Sequence, residues 1–216
     1  MRHIKFGILC CVTVLLLTHM CKASIVVPDS GFEDPNSGSF WTPFGTANFD
    51  AMAPGIDSIE GTETLQLSGT GDGNFSGVFQ DFAVDGASIS VGDQVAVTGI
   101  LGHTSADPLS GLNTAFLEVS FVNSMGIEFM DSTFMSARLD AASPTDIYQT
   151  SITTFATVPS NAVEVRVKAV FEQLSFEGLS GSAWVDNLGL VVVVPEPSSG
   201  LLLAAGLLGF LARQKR

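Results

Sequence analysis

Residues 162–171, Ala-Val-Glu-Val-Arg-Val-Lys-Ala-Val-Phe, alternate apolar and polar side chains along the chain. Val163, Val165, Val167, Ala169 and Phe171 fall on one side of an extended backbone, and Glu164, Arg166 and Lys168 on the other. A period of two in a β-branched run makes a strand with one face buried and one face wet. Similar runs occupy residues 24–27, 64–68, 77–84, 94–102, 114–122, 147–157 and 182–194. Turn-forming clusters rich in Gly, Asp, Ser, Asn and Pro separate them, at 69–77, 84–93 and 105–111. About eight or nine short strands with such turns between them predict an all-β fold, an antiparallel β-sandwich of the jelly-roll kind. Residues 125–139 fit this pattern least well; Met130, Phe134 and Met135 suit either an irregular edge strand or a loop packed on one face. No helix is expected between residues 24 and 194, and no repeat of solenoid length is present.

Different chemistry occupies the two ends. Arg2 and Lys5 precede an apolar run at 6–17 and the polar stretch Thr-His-Met-Cys-Lys-Ala-Ser. That is the order of a secretory signal peptide, and small side chains at Cys21 and Ala23 put cleavage near Ala23/Ser24. As a helix the run is roughly 18 Å long, short of a hydrocarbon core of about 30 Å. His19 and Met20 stand where a lipoprotein cleavage site needs small residues.

At the other end, Val194-Pro195-Glu196-Pro197-Ser198-Ser199-Gly200 leads into an apolar stretch at 201–212 and then Arg213, Lys215 and Arg216. This arrangement resembles the PEP-CTERM sorting signal of Gram-negative bacteria. The resemblance implies that an exosortase, a transpeptidase-like membrane enzyme, recognises Pro195, Glu196 and Pro197 and processes the tail. It also implies a substrate associated with exopolysaccharide or biofilm matrix. Backbone physics agrees, since the two prolines hold Val194 and Glu196 extended and accessible. The apolar stretch makes a hydrophobic helix of roughly 18 Å, short for a permanent span, and the basic terminus holds it on the cytoplasmic side. The expected organisation is a signal peptide at 1–23, a jelly-roll domain at 24–194 and a sorting signal at 195–216. Signal peptidase and exosortase are the partners during export, with transient membrane association through the tail. The product belongs at the cell surface or in the extracellular matrix.

All three cysteines, Cys10, Cys11 and Cys21, lie within the signal peptide, so the mature domain is expected to have no disulfide, thiol nucleophile or Cys-bound metal. Between residues 24 and 194 the only Lys and Arg residues are Arg138, Arg166 and Lys168, against a large excess of Asp and Glu. An acidic surface repels phosphates and excludes nucleic acid as a partner. It attracts divalent cations, of which Ca²⁺ prefers carboxylate and carbonyl oxygens.

Within the domain, Pro28-Asp29-Ser30-Gly31-Phe32-Glu33, Trp41, Glu63-Thr64-Leu65-Gln66-Leu67, Val78-Phe79-Gln80-Asp81-Phe82 and Ala183-Trp184-Val185-Asp186-Asn187-Leu188 resemble the galactose-binding-like jelly roll shared by several carbohydrate-binding modules. Asp29 stands where that family commonly has Asn. The resemblance implies a structural Ca²⁺ where the first and last strands meet, with Glu33 and Asp186 as its side-chain ligands. It also implies a buried structural role for Trp41. Trp184 shares a face with Asp186 and reads as structural, which leaves Tyr148 as the candidate aromatic for carbohydrate binding. His103 is the only histidine of the mature domain, and no Gly-x-Ser-x-Gly elbow accompanies it, so no enzyme is expected. Three readings stand, in this order: a module associating with polysaccharide, a structural or adhesive surface protein that binds proteins or itself, and last a glycan or ester hydrolase.

Overall fold

The computed structural model describes residues 21–34, 36–59, 61–69, 74–86, 88–129, 133–174 and 181–194. The predicted signal peptide up to residue 20, the Pro195-Glu196-Pro197 motif and the apolar tail lie outside them. Two compact units divide the chain. One is Ser24–Val192; the other joins Met1–Ala23 with Val193–Arg216, most of which lies outside the described residues. Among the described residues there is no α-helix, and none long and apolar enough to cross a membrane.

Twelve strands are described: β1 (Cys21–Ile25), β2 (Thr42–Phe44), β3 (Thr46–Ala51), β4 (Thr64–Ser68), β5 (Phe75–Ala83), β6 (Gln94–Gly102), β7 (Thr114–Val122), β8 (Phe134–Met135), β9 (Gln149–Ile152), β10 (Ala156–Thr157), β11 (Glu164–Glu172) and β12 (Ser182–Val194). They form two antiparallel sheets. The seven-stranded sheet runs β10-β6-β12-β4-β3, with β1 on β12 and β9 on β6. The five-stranded sheet runs β2-β5-β11-β7-β8. The fold is the expected all-β sandwich, with several local differences. Residues 147–157 form two short strands, because the chain leaves β6 after Ile152 and rejoins it at Ala156. Strands β2 and β3, which join different sheets by pairing with β5 and β4, were not anticipated, since their Thr, Pro and Asn content masks the alternation. In the 125–139 segment Met130 lies outside the described residues, and for Phe134 and Met135 the edge-strand alternative holds: they pair with Val119 and Glu118.

The alternation in β11 is realised directly. Val165, Val167, Ala169 and Phe171 are fully buried between the sheets, opposite Leu117, Val119 and Phe121 of β7 and Leu65 and Leu67 of β4 in the same core cluster. On β12 the inward set changes parity, from Ala183 and Val185 to Leu188, Leu190 and Val192. Asn187 sits between the two sets with φ 51, a left-handed conformation that Asn tolerates. This acts as a one-residue β-bulge, and it is what lets one 13-residue strand serve the core along its length.

Candidate functional site

The outer face of the five-stranded sheet collects the unusual chemistry of the domain. Register places Asp81, Arg166 and Ser120 in one row across β5, β11 and β7. The next row is Thr42, Phe79, Lys168, Glu118 and Met135, and the one beyond is Phe44, Gly77, Val170 and Phe116. Along β5 the outward residues are Phe75, Gly77, Phe79 and Asp81, while Ser76, Val78 and Gln80 turn inward and are buried. Phe44 fills the space over Gly77: a Cβ there would stand 2.5 Å from the Phe44 ring and 2.2 Å from the Ala169 carbonyl. Only glycine lets the ring lie against the sheet. Phe75, Phe44 and Phe79 therefore form an aromatic strip along the β2 edge of the face, about 13 Å from Phe75 to Phe79 at the rise of an extended chain. The Phe44 and Phe79 centroids are 6.5 Å apart.

All three cations of the domain lie on this same face. Arg166 makes a two-pronged bond to Asp81, Nε to Oδ1 at 2.7 Å and Nη2 to Oδ2 at 2.8 Å, with its guanidinium 3.9 Å over the Phe79 ring. Lys168 Nζ donates to Glu118 at 2.5 Å and also to Glu128, which Arg166 approaches at 3.7 Å. Arg138 pairs with Glu172 and lies 4.6 Å over Phe116. Burial pushes the Glu118 carboxyl above its usual range, against the pull of the Lys168 hydrogen bond and charge. At Glu128 burial also raises, but the hydrogen bonds from Lys168 and Ser120 and the charges of Lys168 and Arg166 outweigh it, so that carboxyl is lowered.

The residues singled out from sequence fall elsewhere. Glu33 and Asp186 both reach the loop between β3 and β4. Glu33 Oε1 accepts the Thr62 and Glu63 backbone N–H groups at 2.7 and 2.6 Å. Asp186, fully buried, accepts the Ile59 N–H on Oδ2 at 2.8 Å and the Asn187 N–H on Oδ1 at 2.6 Å. Among the described residues no group of three or more His, Cys, Asp or Glu side chains could hold a metal. The loop thus turns peptide N–H groups of Ile59, Thr62 and Glu63 toward the two carboxylates.

Tyr148 belongs to the seven-stranded side. Together with Ile56 it packs against a small cluster of Ala51, Ala53 and Trp184, away from the aromatic strip. Burial pushes its phenol up to about 12, with the nearby Thr64 hydroxyl lowering it and the Asp186 charge raising it. Thr64 Oγ1 is spent on the Ala51 carbonyl, and the Tyr148 hydroxyl and Trp184 Nε1 have no hydrogen-bond partner among the described residues. Trp41 is buried as expected, its Nε1 donating to the Asp29 carbonyl at 3.1 Å. His103 is fully buried, with Nε2 2.8 Å from the Ser143 carbonyl and Nδ1 accepting the Leu109 N–H at 3.0 Å. Both ring nitrogens are occupied by main chain, so His103 ties two loops together and has no nitrogen free for proton transfer. Leucine at position 103 would leave both backbone groups unpaired, at an expected cost of about 2–4 kcal/mol in denaturant unfolding.

The aromatic strip was missed in the sequence because phenylalanine in a β-rich chain reads as core. The signal was present in Phe75-Ser76-Gly77-Val78-Phe79-Gln80-Asp81, where two rings share a face with a glycine and a carboxylate.

Comparison with known proteins bears on both parts of the chain. Residues 193–216 match the PEP-CTERM protein-sorting motif. The chain ends in an exosortase sorting signal. The match implies an exported, exosortase-sorted surface protein, and it begins within the last two residues of β12. No curated protein matches the chain. Among solved structures, a Stig cyclase from Fischerella sp. TAU aligns with TM-score 0.55 at 13% identity, over 82% of this chain and 100% of that one. The CBM22-1 xylan-binding domain of Paenibacillus barcinonensis Xyn10C aligns with TM-score 0.50 at 11% identity, over 81% and 99%. The enzymatically active domain of bacteriophage CBA120 tailspike protein 4 gives TM-score 0.49 at 14% identity over 78% of this chain, which spans only 22% of it. At these identities the likeness is one of fold: a sandwich of the carbohydrate-binding-module type, which cyclases also use.

Proposed function

We propose that the sandwich is a non-catalytic module through which this surface-sorted protein associates with an uncharged extracellular polysaccharide, using the outer face of the five-stranded sheet. The observation that carries the reading is the strip Phe75, Phe44 and Phe79 beside a dense row of hydrogen-bonding groups. Aromatic faces pair with the apolar side of pyranose rings, and the flanking carboxylates and amines suit hydroxyls. A strip about 13 Å long spans two to three sugar units.

Charge favours a neutral ligand. The face carries Asp81, Glu118, Glu128, Glu164 and Glu172 against three cations, and each cation is bonded to a carboxylate. No other Lys or Arg lies between residues 24 and 194. A uronate or sulfate polymer would meet excess negative charge and would have to displace existing ion pairs. The absence of a free imidazole nitrogen at His103 and of cysteine after residue 21 supports the non-catalytic part.

Affinity electrophoresis through gels containing arabinoxylan, mixed-linkage β-glucan, alginate or polygalacturonate tests this. Retardation is expected in a neutral gel, with little change between low and high salt. Phe44→Ala and Phe79→Ala are each expected to weaken it about tenfold, the loss of roughly 1.4 kcal/mol that one aromatic contact supplies. Retardation confined to the acidic polymers and abolished by salt would replace the neutral ligand with an anionic one. No retardation in any gel would remove the polysaccharide reading and leave the adhesive one.

A further inference from the structure

The loop of described residues 57–59 and 61–63 has to be held against the sandwich by something, because only its neighbours β3 and β4 are in the ladder. Two carboxylates from distant parts of the chain hold it. Asp186 reaches it from the middle of β12, 127 residues away, and Glu33 from the opening segment, 29 residues away. Consecutive N–H groups of Thr62 and Glu63 converge on one Glu33 oxygen, forming a small anion-binding concavity. Gly61 makes the approach possible. Its φ is +72, and a Cβ there would overlap the Glu33 carboxylate at 2.0–2.3 Å. The carbonyl of Gly61 is turned to the Ser58 hydroxyl, which donates to it at 2.6 Å. The loop therefore presents donors to the two acids, and one of its carbonyls is already occupied.

We infer that Glu33 and Asp186 clamp this loop directly, as carboxylates bonded to peptide N–H groups, in the place where the jelly roll would otherwise use a metal ion. The polarity of the loop decides between the two. A bound cation would need six to eight inward-facing oxygens, whereas Glu33 Oε1 and both Asp186 oxygens already accept peptide N–H groups. Charge-assisted bonds from N–H to carboxylate serve the same end with no ion. The domain then keeps its fold in media poor in divalent cations, and its stability does not follow the supply of calcium. The clamp also fixes one wall of the shallow cleft between Met52, Ile56 and Thr62, on the side of the molecule away from the aromatic strip.

The test uses the full chain purified in mild detergent, with calcium chloride and a chelator as the probes. Thermal unfolding is expected at the same midpoint in millimolar Ca²⁺ and in excess chelator, and calorimetric titration with Ca²⁺ is expected to give no saturable heat. Glu33→Gln, Asp186→Asn and Gly61→Ala should each lower the midpoint by several degrees, equally with and without calcium, and should speed amide exchange at Ile59, Thr62 and Glu63. A midpoint that rises with Ca²⁺ in the unaltered protein overturns the inference, whether or not any variant folds. So would variants whose only change is the loss of such a rise.

Discussion

Replacing Lys168 with methionine is expected to cost about 3–5 kcal/mol at neutral pH, one of the largest losses available from a single side chain in this domain. The ammonium is shared by Glu118 and Glu128 and is itself largely buried, with 14% of its side chain exposed beside 9% for Glu118. Removing one member of such a group leaves the remaining charge desolvated and unpaired. Methionine keeps the aliphatic length, so the loss reports the charge and not a cavity. The effect should depend on pH with a definite sign. Glu118 has its carboxyl raised above 4.5 by burial even with Lys168 present, and without the lysine it rises further. A raised folded-state value means the folded protein holds that proton more tightly than the unfolded chain. The penalty is therefore present at pH 7 and shrinks as pH falls through the raised value toward 4.5. Glu128 runs the other way. Its carboxyl is lowered, so its contribution is present above 4.5 and fades as pH falls through the lowered folded value. In the variant that contribution is already reduced, since only Arg166 remains as its cation. Both changes narrow the gap between the two proteins on acidification. Denaturant midpoints at pH 7.5 and pH 4.5 measure it, and an equal loss at both would show that packing and not charge was removed.

Alanine at Trp41 is expected to be as damaging, by about 3–5 kcal/mol, through a different mechanism. Trp41 is 1% exposed and its ring centroid lies 5.4 Å from that of Phe32. Phe32 has φ 61, a conformation a bulky residue adopts only when its surroundings hold it there. Truncating Trp41 leaves a cavity, frees the Asp29 carbonyl from its indole donor and withdraws the ring that holds Phe32. Phenylalanine at position 41 restores most of the packing but not the hydrogen bond, so a loss of about 1–2 kcal/mol is expected. Chemical unfolding of both variants separates the two contributions. Similar losses for alanine and phenylalanine would place the whole effect in the Asp29 hydrogen bond.

The first of these predictions concerns the charged side of one strand pattern, and that pattern shows how far alternation carries. The period of two in residues 162–171 contains both the core row of Val165, Val167, Ala169 and Phe171 and the charged row of Arg166 and Lys168. Local chemistry also marked the C-terminal sorting motif, because charge, apolar length and the Pro-Glu-Pro order act over adjacent residues. The acidic balance, the position of every cysteine and the scarcity of cations were equally legible, since composition does not depend on folding.

What the tertiary structure decided was which residues meet. Arg138, Arg166 and Lys168 come together on one face only because β11 lies between β5 and β7, and register across strands is a long-range property. The same register turns Phe44, Phe75 and Phe79 outward, a choice that hydrophobicity alone opposes. Asn187 shifts the parity of β12, and nothing in its neighbours announces that a left-handed residue is needed there. Glu33 and Asp186 were recognisable as a pair from the ends of the domain, but whether their oxygens face a cation or peptide N–H groups depends on how the 57–63 loop turns its backbone. Sequence fixes side-chain chemistry and local periodicity because both act between near neighbours; the polarity and partners of a site are set by segments a hundred residues apart, and only the packed sandwich brings those together.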